Sequence, residues 1–149
     1  MTDIYVNNRE FQQLIIDYKS IKSKNPQTKI PDSIGKILML IAQRLSTRFN
    51  FNGYTFRDEM VSDGILRAVE VFDNFDPEKS SYPFSYFSKV IFRSFIQRIK
   101  REKTEMNKRN HLIMVNEIFS LQEGDDCKVT KDQIIGDFQF DSGDWIDKE

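Results

Sequence analysis

Residues 81–102, SYPFSYFSKVIFRSFIQRIKRE, place four aromatic side chains within six positions and follow them with a dense run of Arg and Lys. Phe92, Phe95, Ile96 and Ile99 recur at the i, i+3, i+4, i+7 spacing of one helix face. That spacing predicts a helix beginning near Phe84 with these four in the core. Arg93, Gln97 and Lys100 share its opposite side. Such a helix docks its apolar side on a core and presents cations outward.

The upstream sequence reads as further helix. Phe11, Leu14, Ile15, Tyr18 and Ile21 form an amphipathic stripe within residues 7–24, which ends near Asn25 and Pro26. NPQTKIP is a linker. Asp32 or Ser33 is the expected cap of a second helix whose stripe is Ile34, Ile37, Leu38, Ile41 and Leu45. Thr55 with Asp58 resembles a capping box at the start of a third helix, where Val61, Ile65, Ala68 and Phe72 point one way. Gly64 within that helix costs about 1 kcal/mol relative to alanine, which close approach of another helix would explain. Asp76 and Pro77 end this helix. No alternating β pattern of useful length and no repeat is visible. The predicted class is all-α, divided into an N-terminal helix and linker (1–31), a helical domain (32–112) and an acidic C-terminal tail (113–149).

The net charge of −1 conceals a strong asymmetry. Residues 113–149 hold ten acids against three lysines, residues 57–78 seven acids against two arginines, and residues 89–109 eight basic residues against two acids. Three successive zones of one sign point beyond solubility to charged partners.

Composition narrows the chemistry. One cysteine, Cys127, and one histidine, His111, offer no disulfide framework and no imidazole or thiolate metal site. No glycine-rich phosphate loop or nucleophile elbow is present, so the expectation is a non-enzyme without cofactor or metal, with His111 a surface or packing residue. No apolar run approaches the roughly 20 residues that span a bilayer, and MTDIYVNNRE lacks a signal-peptide pattern, so a soluble, cytosolic protein is expected.

Aromatic rings stack on unpaired bases for about 1–3 kcal/mol each, while nearby cations hold phosphates. The combination in residues 82–101 suits single-stranded nucleic acid. Burial in the core is the competing explanation for each ring. It is the stronger one for Phe92 and Phe95, whereas Tyr82, Phe84 and Tyr86 stand at a loop-to-helix junction where full burial is harder.

Taken together, LMLIAQRL, FRDEMVSDGILRAVEVFDNFD and YPFSYFSKVIFRSFIQRI, within residues 36–101, resemble region 2 of bacterial sigma factors, the promoter-opening subunits of RNA polymerase. The short length, the lack of a second DNA-binding domain and the tail resemble the late-transcription sigma factors of T-even-type tailed bacteriophages. The resemblance implies that Glu59, Ser62 and Asp63, with Arg67 beside them, dock on the β′ clamp helices of bacterial core RNA polymerase. It implies that Phe75, Asp76, Tyr82, Phe84, Tyr86 and Phe87 capture a flipped adenine of the −10 non-template strand. Extrusion of a base costs a few kcal/mol, which stacking and phosphate contacts offset. Lys89, Arg93, Gln97, Lys100 and Arg101 would hold phosphates, with Gln97 the best candidate for a base edge. Val90 and Ile91 replace two adjacent tryptophans of the principal factors. An aliphatic pair makes a smaller apolar wedge, which implies weak unaided melting and dependence on an activator.

The tail combines acids with a few bulky apolar residues and is expected to be largely disordered until bound. DFQF and GDWI, carrying Phe138, Phe140, Trp145 and Ile146, are similar in placement to the peptide by which phage late sigma factors bind the DNA sliding clamp. A small co-activator is a further candidate partner, and the cytoplasm of an infected bacterial host is the implied location. The alternative is a polymerase-binding regulator or anti-sigma protein that reads no DNA. A helical RNA-binding protein is a third possibility.

Overall fold

Phenylalanine dominates the interior. Phe11, Phe51, Phe72, Phe75, Phe87 and Phe95 are each at most 1% exposed, and their rings meet in two groups, one around Phe87 and one joining Phe51 to Phe95. Phe72 stacks on Phe87 with centroids 5.3 Å apart, and Phe11 and Phe75 tilt against the same ring at 5.6 and 5.7 Å. Aromatic pairs in such geometries add about 0.5–1.5 kcal/mol each beyond the area they bury.

The computed structural model describes residues 6–122 of the chain. Four α-helices occur in the order α1 (Asn8–Lys24), α2 (Asp32–Ser46), α3 (Arg57–Glu70) and α4 (Pro83–Gln122), with a 3-10 turn at Phe72–Asn74. There is no strand among the described residues, which are all-helical in class. It divides into two compact units, Met1–Arg101 and Glu102–Glu149, with the division inside α4. No helix among the described residues is long and apolar enough to cross a membrane.

In the first unit, α1 buries Phe11, Ile15 and Tyr18, and α2 buries Ile34, Leu38, Ile41 and Leu45, as their spacings predict, with Leu14 and Ile37 half-buried; Ile21, expected on the α1 stripe, is 53% exposed. Asn7 caps α1 by accepting the Arg9 N–H at 3.0 Å. The expected caps of the next two helices are not formed. Pro31 occupies the N-cap of α2 without a side-chain bond, which leaves Asp32 in the first turn, where a carboxylate favours the helix dipole. Phe56 occupies the N-cap of α3 in place of the Thr55 and Asp58 box. The Phe56 ring lies 5.1 Å from that of Tyr54, and Arg57 Nε donates to Ser46 Oγ at 3.2 Å, so packing and a tie to α2 set this helix start.

The buried row of α3 is Met60, Gly64 and Ala68; of the predicted stripe Ala68 is buried, as is Phe72 in the 3-10 turn beyond the end of α3 at Glu70, whereas at the other two positions the buried residue is the one before. Val61 and Ile65 are half-buried beside it. The buried row of α4 within this unit is Phe87, Ile91, Phe95 and Ile99. Phe92 is 39% exposed, because it sits one position off that row and reaches the core only by an edge contact on Phe51 at 5.4 Å. In the second unit, helix continues without a break through residue 113, where the charge count puts the start of the tail, as far as Gln122. Met106, Leu112, Ile113 and Met114 are exposed there. The remainder of the predicted tail lies outside the described residues.

Gly64 explains itself. A methyl group at its Cα would stand 2.7 Å from Phe95 Cε1 and 2.9 Å from Ile91 Cγ2, so α3 and α4 cross at this point without room for a side chain. Gly35, on α2, has nothing within 4 Å of the same position. The two glycines should therefore respond oppositely to alanine. Gly35→Ala should raise stability by about 0.4–1 kcal/mol. Gly64→Ala should lower it, because overpacking costs about 1–3 kcal/mol against a helix gain of about 1. Urea denaturation midpoints measure both, and a Gly64→Ala chain as stable as the Gly35→Ala chain would contradict the close crossing.

Candidate functional site

The start of α4 and the loop before it hold most of the rings singled out in the sequence, but they do not form one surface. Phe75 and Phe87 are 1% and 0% exposed and belong to the core, so neither is available to a base. Tyr86 is half-buried, packed 5.1 Å from Phe75 and 5.0 Å from Phe87. Phe84 is likewise half-buried against the core. Tyr82 alone of the group is open, at 65% exposure. The ring cluster is thus layered, with Phe75 and Phe87 as a floor, Tyr86 and Phe84 as a rim and Tyr82 outside.

The loop is shaped locally. Asp76 Oδ1 accepts the Glu78 N–H at 3.0 Å and its carboxylate pairs with Lys79 at 3.5 Å. The Glu78 N–H bond, then Lys79, holds the Asp76 carboxyl below its usual 3.8. A depressed carboxyl contributes stability that is present above 3.8 and is lost as pH falls through its folded value. Asp76 is therefore an organiser of the loop, already engaged with its own chain. Across the loop, Lys22 bonds Asp73 and is held above its usual 10.5 by that bond and by Tyr18, a contribution lost only as pH rises through the folded value. Between 3.8 and 10.5 the loop keeps both ties.

Beyond the rings, α4 presents Lys89, Arg93, Gln97 and Lys100, all exposed, at intervals of four, four and three residues that keep them on one side of the helix. Tyr86 begins the same row three positions earlier. Val90 is half-buried and Ile91 is fully buried, packed within reach of Gly64. Ile91 cannot serve as a wedge, because it faces α3 and closes the core.

The acidic set on α3 is divided in the same way. Glu59 and Ser62 are exposed, and Ser62 Oγ donates to the Asp58 carbonyl at 3.0 Å. Arg67 pairs with Glu70 at 3.1 Å on the surface. Asp63 is one-third exposed and engaged with its own chain: one of its oxygens accepts from Arg98 at 2.9 Å and from Arg101 at 3.0 Å. Two of the opposed charge zones therefore meet inside the molecule, and Arg101, expected on phosphate, is an internal partner. Asp63, Arg67, Gln97, Arg98 and Arg101 line a cleft of about 320 Å³ between α3 and α4.

A larger cleft, about 570 Å³, lies between α2 and α3 and was not anticipated from sequence. Its lining includes the apolar Met39, Leu40, Val61 and Ile65 and the polar Arg44, Arg57, Asp58 and Ser62. The available signal was Met39 and Leu40, apolar residues on α2 that fall outside its core stripe. Among the described residues no group of His, Cys, Asp or Glu is arranged to hold a metal. Phe138, Phe140, Trp145 and Ile146 lie outside the described residues.

Asp63 provides a direct test of this arrangement. Asp63→Asn should lower stability by roughly 1 kcal/mol, the upper range for a partly exposed pair. The loss should shrink in high salt, which screens such charges. Thermal unfolding at two salt concentrations reads both effects, and unchanged stability would return Asp63 to the pool of partner-facing acids.

Comparison with protein-family models finds none that matches this chain, and comparison with curated proteins finds no matching sequence.

Proposed function

We propose that the protein is a promoter-opening subunit of the sigma region 2 kind, acting with bacterial core RNA polymerase on an AT-rich −10-like element. The observation that carries this reading is the exposed Tyr82 followed by the row Tyr86, Lys89, Arg93, Gln97 and Lys100 along one side of α4. A stacking ring at one end of a cationic track suits an unpaired strand, with the ring taking a base and the track holding phosphates. Tyr82 is the ring that meets an extruded base, Phe84 and Tyr86 form its margin, and Gln97 reaches for a base edge. The buried Phe75 and Phe87 act indirectly by holding that margin.

The polymerase contact is best assigned to the α2–α3 cleft, whose lining combines apolar Met39, Leu40, Val61 and Ile65 with Arg44, Arg57, Asp58 and Ser62, and to the exposed Glu59 next in sequence to Asp58. A mixture of apolar and charged side chains is the composition of an interface core with its rim. The clamp-binding role of Phe138, Phe140, Trp145 and Ile146 belongs to the same proposal and follows from sequence resemblance alone. Tethering to a clamp on DNA would raise local concentration and compensate for a weak promoter grip. The activity needs no catalytic residue, and its place is the cytoplasm of an infected bacterium.

One observation favours the second reading, a polymerase-binding regulator that reads no DNA. Burial of Ile91 leaves Val90 as the sole member of the pair able to touch a base step. Run-off transcription with core polymerase and an AT-rich −10 template separates the two. The expected result is initiation above the core-only level, enhanced by a DNA-loaded sliding clamp. Tyr82→Ala should reduce opening about tenfold, the equivalent of 1–2 kcal/mol of stacking, with core binding unchanged. Phe87→Ala should lose both functions together through a fold cost of about 3–5 kcal/mol. Initiation at the core-only level even with the clamp would establish the regulator instead. Removal of residues 133–149 should abolish the clamp response and preserve basal initiation.

A further inference from the structure

The N-terminal helix α1 carries a second stripe beside its buried one. Asn8, Gln12, Lys19 and Lys22 fall within one side of the helix, since steps of four, seven and three residues each return close to the same direction. All four are committed to the segment from Asp73 to Phe84. Asn8 Oδ1 accepts the Phe84 N–H at 3.1 Å, and so satisfies an N–H of the first turn of α4, one of the four that lack a partner within the helix. Gln12 Nε2 donates to the Pro77 carbonyl at 3.1 Å. Lys19 Nζ donates to the Asp73 carbonyl at 3.3 Å and to the Phe75 carbonyl. Lys22 pairs with the Asp73 carboxylate and lies 5.6 Å from the Tyr18 ring.

The pattern is informative because of what is bonded. Three of the four side chains meet main-chain groups, and they do so at residues 73, 75, 77 and 84. A helix that served only as core cover would need Phe11, Ile15 and Tyr18 and nothing more. Main-chain bonds at successive points of a loop fix its path without regard to its side chains, which leaves Tyr82 to project from a held backbone.

We infer that α1 is a positioning strap for the Asp73–Phe84 segment, in which Gln12 and Lys19 hold the loop and Asn8 caps α4, so that Tyr82 is presented in a fixed direction. The strap deepens the proposed function, since its purpose rests on Tyr82 meeting an unpaired base. Gln12 and Lys19 are positioning residues that touch no ligand themselves. They act by reducing the ordering that a loop must otherwise undergo when a base arrives.

The test uses the full chain with core polymerase, and compares wild type with Gln12→Ala, Lys19→Met and the conservative Lys19→Arg. Amide hydrogen exchange of residues 73–84 should rise several-fold in the first two and stay near wild type in Lys19→Arg, while the Phe11 and Ile15 amides keep their protection. Binding of a single-stranded AT-rich oligonucleotide carrying 2-aminopurine should weaken several-fold in the same two chains. Unchanged exchange in 73–84, or exchange that rises throughout α1 and the core, overturns the strap. Increased loop exchange with oligonucleotide binding as in a binding-competent wild type overturns its role in base capture. A wild-type complex that binds no oligonucleotide, with loop exchange still dependent on Gln12 and Lys19, leaves the strap standing and removes the promoter-opening reading.

Discussion

The crossing of α3 over α4 at Gly64 is the constraint from which the rest of the first unit follows. With no side chain between them, the Phe95 ring and the Ile91 methyl come against the α3 backbone. That closeness has an electrostatic consequence one residue away. Asp63 is brought within 2.9 and 3.0 Å of two α4 guanidinium groups, and the acidic and basic helices are joined by complementary charge as well as by packing. The same rotation of α4 that seals Phe87, Ile91 and Phe95 inside turns Lys89, Arg93 and Gln97 to water. The orientation of the cationic row is thus a by-product of the core.

Periodicity was sufficient to read most of the helices. The apolar spacing in residues 7–24 and 34–45 predicts the extents of α1 and α2 nearly to the residue, because each has one dominant buried stripe. It was less sufficient for α3 and α4, which are apolar on more than one side. There the choice between Val61 and Met60, or between Phe92 and Ile91, depends on which row a neighbouring helix covers, and no local rule supplies that. The caps at Thr55 and Asp32 failed for a related reason. Tertiary contacts from Tyr54 to Phe56 and from Arg57 to Ser46 fix the helix start and override a side-chain cap worth about 1 kcal/mol.

The candidate site was legible by residue type but not by depth. Five rings in the loop and helix start look alike in sequence, and the fold sorts them into floor, rim and exterior. Charge zones were equally ambiguous. The run at 57–78 and the run at 89–109 suggest two external partners, yet Asp63 with Arg98 and Arg101 shows part of each neutralising the other. The α2–α3 cleft is not legible in the sequence because its lining comes from two helices, and a groove is a property of a pair.

The phenylalanine-rich interior also gives the chain an unusual optical division of labour. No indole is present in the described domain, since the single tryptophan, Trp145, lies in the acidic extension. Emission excited selectively from tryptophan is therefore blind to the ring ladder around Phe87 and reports on the extension alone, whereas tyrosine dichroism follows the first unit, since Tyr5, Tyr18, Tyr54, Tyr82 and Tyr86 all precede residue 102. The two halves of the chain can be observed separately in one unlabelled sample.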